Sequence, residues 1–192
     1  MKEKNKLELE IEKLNREVEL LKRMDMKKDY LIQNLEHRLL MQNTTDLLTE
    51  AYTKQHIVKK YREAIKMRNR WGFGITLCLF DIRSMSNVND TYGTDFGDSL
   101  LKSFSKLSKH LIRDEIDSFF RIEGDKFFVI LVDCNIENGK KICNRINREF
   151  YHITDGHTLN YEVFEVTQSH KNSVEEYLKM MLQKMRYRKR VN

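Results

Sequence analysis

The chain has 192 residues, 35 Lys+Arg, 29 Asp+Glu and no proline, and 33% of it is charged, above the roughly 25% of an average globular chain. At roughly 100–200 residues per domain this length holds one domain and an appendage. The longest apolar runs, Ile75 to Phe80 and Phe127 to Val132, fall far short of the roughly 20 residues a bilayer span needs.

Met1-Lys2-Glu3-Lys4-Asn5-Lys6 lacks the apolar stretch of a signal peptide. Immediately after it, Leu7, Ile11, Leu14, Val18 and Leu21 alternate steps of four and three, and the register continues through Asp25, Lys28, Ile32, Leu35 and Leu39. β-Branched residues at one seam position and Leu at the other favour two parallel strands. Residues 1–42 are therefore expected to form one coiled-coil helix that makes a homodimer. Asp25 and Lys28 break the seam and set its register. The other reading is an amphipathic helix folded back on its own domain. Asn43-Thr44-Thr45 marks the junction with a second domain, residues 43–192.

Ile57, Tyr61, Ala64 and Ile65 predict a helix. Ile75 to Ile82 predicts a strand buried on both faces, and Leu100, Phe104, Leu107 and Leu111 predict a helix capped by Asp98. Ser118 to Ile122 and Phe127 to Val132 predict two strands, joined as a hairpin by Glu123-Gly124-Asp125-Lys126. Ile142, Cys143, Ile146 and Phe150 predict a further helix, Tyr161 to Thr167 a strand, and Val174 to Met185 a final helix. From Ile75 the order is β-α-β-β-α-β, the α/β (α+β) ferredoxin-like arrangement. The three cysteines, Cys78, Cys134 and Cys143, have no CxxC spacing, which excludes a disulfide scaffold and fits a reducing cytoplasm. The six histidines show no ligand spacing. From Lys179 onward there are six bases and no acid, so the whole +6 formal charge lies in the tail and the body is neutral. A nucleic-acid binder carries a basic face across its fold, so no nucleic-acid partner is expected. The tail reads either as a contact for an acidic partner or as cations at the negative pole of a helix.

The first crossover returns a strand parallel to the first, with the hairpin partner between them. The end of the first strand then lies beside the start of the third, which brings Asp81 toward Asp125. Such a carboxylate pair suits Mg²⁺ with substrate phosphates. On the residues alone the favoured reading is a strand-end residue and a turn residue, each solvated.

The run Asp81-Ile82-Arg83-Ser84-Met85-Ser86-Asn87-Val88-Asn89-Asp90-Thr91-Tyr92-Gly93, followed by Gly97-Asp98, resembles the D-x-D-x-F-K-x-x-N-D-x-x-G-H-x-x-G-D pattern of the GGDEF domain, the diguanylate cyclase family. Arg121-Ile122-Glu123-Gly124-Asp125-Lys126-Phe127 is similar to its R-Y-G-G-(D/E)-E-F, and Asp46-Leu47-Leu48-Thr49 to its opening D-x-L-T. The resemblance covers Asp46 to the C-terminus. It implies the GGDEF/nucleotide-cyclase fold and the joining of two GTP molecules into cyclic di-GMP between two subunits. By position, Asp81 and Asp125 would be metal ligands and Asn89 and Asp98 would read guanine. Lys184 and Arg188 would be the candidate phosphate cations.

The pattern is broken elsewhere. Glu123 replaces a glycine that lets phosphate approach bare backbone. Lys126 replaces the turn's second acid and, while protonated, cannot coordinate a cation. Ser86 replaces a phosphate-contacting Lys, Arg83 the second strand-end Asp, and Thr94 a His. Asp117 keeps the Asp of the family's R-x-x-D product site, but Asp114 stands at the Arg position, so cyclic di-GMP binding is not expected. Turnover of this kind rests on positioning and electrostatics, and each lost electrostatic group costs about a hundredfold to a thousandfold. The first expectation is thus a catalytically silent signalling protein. It would contact an unknown protein partner in cyclic di-GMP control of motility or biofilm formation. The second is a GTP-binding switch without turnover, with Mg²⁺ only alongside GTP, and the third a weak cyclase.

Overall fold

The computed structural model describes residues 2–42, 44–167 and 172–191, with side chains over 10–34, 44–167 and 172–187. The chain divides into two compact units, Met1–Asn43 and Thr44–Asn192.

The first unit is one helix, α1, Lys2–Gln42. Among its described side chains the predicted seam is exposed: Ile11, Leu14 and Leu21 are each more than half accessible, and Val18 and Ile32 nearly so. Leu7, Leu35 and Leu39 lie outside the described side chains. Ion pairs such as Arg16–Glu12 at 2.7 Å run along the helix surface, the i,i+4 spacing that supports an exposed helix.

The second unit begins with β1 (Tyr52–Thr53), a short 3₁₀ turn and α2 (Ile57–Trp71). Then come β2 (Ile75–Ile82), α3 (Met85–Tyr92), α4 (Thr94–Leu111), β3 (Ser118–Glu123) and β4 (Lys126–Val132). The chain closes with α5 (Ile136–Ile153), β5 (Leu159–Glu165) and α6 (Val174–Val191). One five-stranded sheet has the order β1-β3-β4-β2-β5. β4 is antiparallel to both β2 and β3, so β2 and β3 run parallel on either side of it, and β5 is antiparallel to β2. Every residue of β2 is buried, because the strand lies between two apolar layers. On one face Cys78, Phe80, Phe127 and Val129 pack with Leu100, Phe104, Cys143 and Phe150 of α4 and α5. On the other, Leu77, Leu79, Phe128 and Ile130 pack with Ile57 and Tyr61 of α2 and Tyr177 and Met181 of α6.

Several expectations are corrected. Asp98 caps nothing: α4 starts at Thr94, and its first turn is entered from Gly93 at φ 85°, ψ 162°, a conformation open to glycine and closed to side-chain-bearing residues. The hairpin link is two residues, not four. Glu123 and Lys126 pair across the strands, an opposite-charge cross-strand pair of the stabilising kind, and leave Gly124 (φ 48°) and Asp125 as the turn. The last strand runs from Leu159 to Glu165 rather than Tyr161 to Thr167. β1 and α3 were not anticipated. All three cysteines are free and buried. Among the described residues no helix is long and apolar enough to cross a membrane.

Candidate functional site at the sheet edge

The sheet brings the end of β2 to the hairpin turn. Asp81 lies directly opposite Lys126 across the β2–β4 ladder, and the Ile82 N–H donates to the Asp125 carbonyl at 3.2 Å. Asp81 is fully buried, and the Asn160 amide on β5 donates to its Oδ2 at 3.3 Å. Asp125 does not face an open coordination sphere. Its Oδ1 is 2.9 Å from the Lys126 ammonium. Burial lowers the Lys126 pKa, but the bond to Asp125 and the charges of Asp125, Asp81 and Glu123 outweigh it and hold the group above its ordinary value. Glu123 is exposed beside them. Arg83 is turned away into a 2.7 Å bond with the Asn160 Oδ1.

These residues do not fit the divalent ion that the resemblance implies. One of the two carboxylates is held by an ammonium, and the positions of two further acids carry Arg83 and Lys126. Among the described residues no three His, Cys, Asp or Glu side chains cluster as metal ligands.

The base-reading half is built differently. Asn89 on α3 lies against α4 at Gly97, where a Cβ would fall 1.9 Å from the Asn89 Oδ1. Only the absence of a side chain at 97 lets the two helices close around this amide. Asp98, the next residue, is half-buried. The Asn89 Oδ1 is buried and has no hydrogen-bond partner, and a buried acceptor left unmatched costs about 1–3 kcal/mol. The two residues that the resemblance assigns to guanine thus lie on α3 and on α4 next to Gly97.

The remaining candidates are already engaged within the chain or lie outside the described side chains. Lys184 reaches the buried Glu162 of β5 at 3.0 Å, and Arg188 lies outside the described side chains. Asp117 is consumed as well. Its side chain, 1% exposed, accepts from the Arg113 backbone N–H, Nε and Nη2 and from the Val132 N–H, all at 2.9–3.0 Å. Arg113 also donates to the Val132 carbonyl.

Two links were missed in the sequence. Asn160 joins Asp81 to Arg83, and only the β2–β5 register reveals it. Arg121 donates to the Asp46 Oδ1 and to the Gly124 carbonyl, each at 2.9 Å. Asp46 also accepts from the Thr49 N–H and Oγ at 2.9 and 2.7 Å. Burial raises the Asp46 pKa, but these bonds from Thr49 and Arg121 outweigh it and hold the carboxyl below its ordinary value.

The family model "Diguanylate cyclase, GGDEF domain" matches residues 43–185. The chain belongs to the GGDEF family. Its relatives include the response regulator PleD of Caulobacter vibrioides, 31% identical over 118 residues, 62% of this chain and 26% of PleD. Diguanylate cyclase DgcS of Shewanella oneidensis is 32% identical over 106 residues, 55% of this chain and 35% of DgcS. The chain thus spans about a quarter to a third of these relatives. Two crystal structures share the fold. One is the coiled coil and GGDEF domain of DgcB from Caulobacter crescentus in complex with c-di-GMP, with TM-score 0.69 and 17% identity, covering 90% of this chain and 95% of that one. The other is diguanylate cyclase SiaD from Pseudomonas aeruginosa in complex with its activator SiaC, with TM-score 0.67 and 18% identity, covering 100% of this chain and 75% of that one. The GGDEF turn of this chain therefore reads Glu123-Gly124-Asp125-Lys126-Phe127.

Proposed function

We propose that this chain is a catalytically silent GGDEF protein of a cyclic di-GMP pathway. It acts as a dimer through α1 by contact with another protein, in the control of motility or biofilm formation. The observation that carries this reading is the charge at the turn. The Lys126 ammonium sits 2.9 Å from the Asp125 Oδ1, so one of the two carboxylates that the resemblance gives to a metal is already paired, and Glu123 adds a carboxylate where a triphosphate would approach. Phosphoryl-type transfer rests on positioning and electrostatic stabilisation, and here one member of the acid pair that would supply them is taken by an ammonium. The Arg113–Asp117 pairing likewise argues against a product-binding role, since each group already satisfies the other. A protein partner has a precedent in the complex of SiaD with its activator, and a coiled coil beside this domain has one in DgcB.

The deciding assay incubates the purified protein with GTP and Mg²⁺ and looks for cyclic di-GMP by chromatography. No product is expected, and measurable product overturns the reading. Turnover appearing in the double variant Glu123→Gly/Lys126→Glu would show that the fold and the guanine pocket are intact. For the dimer, Leu14→Lys with Leu21→Lys yields monomers in light scattering; an unchanged mass removes α1 as the dimer element.

The unmatched Asn89 acceptor favours a second reading, a GTP-binding switch without turnover, because guanine N1–H and N2–H₂ are donors of the matching kind. Saturable GTP binding by calorimetry in the absence of product selects it over a bare scaffold.

A further inference from the structure

The hydrogen bond from Ile82 to Asp125 makes the next pair along the ladder, Asp81 and Lys126, a non-hydrogen-bonded one. In such pairs the Cα atoms are closest, at about 4.5 Å, and the side chains share one face. Asp81 is 0% exposed, and the Lys126 and Asp125 side chains are 26% and 21% exposed. Carboxylates removed from water in this way require a cation or hydrogen-bond donors close by. Lys126 is fixed in the strand that begins at this spot, and its ammonium already sits 2.9 Å from the Asp125 Oδ1.

We propose that Lys126 is the resident cation of this edge, a tethered ammonium standing where a divalent ion would join Asp81 to Asp125. The edge is then a latent metal site closed by its own side chain. Three features support this. The ammonium is part of the chain, so it loses no translational freedom on pairing, whereas a free ion does. Its three N–H groups offer donors but no lone pair, so it excludes a metal rather than sharing one. Any divalent ion entering between the carboxylates is also repelled by a like charge a few ångströms away in a half-buried setting, where such repulsion is far stronger than in water. The sheet edge is consequently held together without Mg²⁺. This inference is independent of the protein's silence: a nucleotide held by the Asn89 pocket alone leaves it intact.

The test is a Mn²⁺ titration of the full chain, with free Mn²⁺ read by electron paramagnetic resonance and melting followed in EDTA and in Mg²⁺. The unaltered protein is expected to take up no Mn²⁺ at millimolar concentrations and to melt at the same temperature in both buffers. Lys126→Glu, which exchanges a positive for a negative charge, is expected to bind one Mn²⁺ per chain, tighter by at least on the order of a hundredfold. Adding Asp125→Asn to that variant abolishes the gain. Lys126→Gln, which keeps the stem and drops the charge, serves if the reversal disturbs folding, and is expected to bind more weakly than Lys126→Glu but measurably. Saturable Mn²⁺ uptake by the unaltered chain that disappears in Asp125→Asn overturns the proposal. So does a failure of the folded Lys126 variants to bind. Cyclic di-GMP made by the unaltered chain with no Mn²⁺ uptake at this edge overturns the silence and spares the lysine, so the two failures are distinguishable.

Discussion

Asp117 and Asn89 both stand at positions where the GGDEF pattern meets guanine nucleotides, and they are in opposite states. The Asp117 carboxylate accepts four hydrogen bonds from its own chain, while the Asn89 Oδ1 is buried and accepts none. A polar group that its own protein has saturated has become part of the fold. One left buried without a partner carries a standing cost. The difference separates a carboxylate absorbed into the fold from an amide oxygen that the fold leaves unmatched.

The largest expected effect comes from Asp117→Ala. It leaves the buried Val132 N–H without its acceptor and the half-exposed Arg113 guanidinium without its carboxylate, and an orphaned buried donor costs about 1–3 kcal/mol. Denaturant melting checks this, and a loss below about 1 kcal/mol would mean the saturated state is incidental. Gly97→Ala drives a methyl to 1.9 Å from the Asn89 Oδ1, an overpacking worth about 1–3 kcal/mol. The same variant is expected to abolish any GTP binding seen by calorimetry. Asn89→Leu sharpens the contrast by its sign. Replacing an unsatisfied buried acceptor with an apolar group of similar size is expected to be neutral or to stabilise by up to about 1 kcal/mol. A clear loss of stability would show that Asn89 has a structural partner after all.

The smallest effect concerns pH. The folded pKa of Asp46 is depressed, so its contribution is present above the ordinary carboxylate value of about 3.9 and is lost as pH falls through the lower folded value. The acid limb of a melting-temperature profile is therefore expected to be shallower in Asp46→Asn than in the unaltered chain.

The fold was legible where burial on two faces forces a continuous apolar run, as in β2 and β4, and where a single stripe repeats, as in α5. It was not legible where an element is held by its neighbours. β1 is two residues pinned to β3, and α3 buries only Met85 and Val88. Asp98 reads as a cap because it precedes an apolar stripe, yet the helix start is fixed four residues earlier by the backbone of Gly93. Glu123 and Lys126 read as turn residues because they are charged, and they are strand partners for the same reason. At the site, the strand topology read from the sequence brought Asp81 toward the turn. The partners that close the other groups, Glu162 for Lys184 and Arg113 for Asp117, depend on which helix lies over which strand, and no single-sequence pattern encodes that.

The guanidinium of Arg121 has a mechanical consequence. One planar group grips the carboxylate of Asp46 near the start of the second unit and, through a different nitrogen, the carbonyl at the tip of the hairpin. Two hydrogen bonds from one side chain thereby tie a residue near the start of the second unit to the hairpin tip 75 residues on in sequence, so the two positions share one planar anchor.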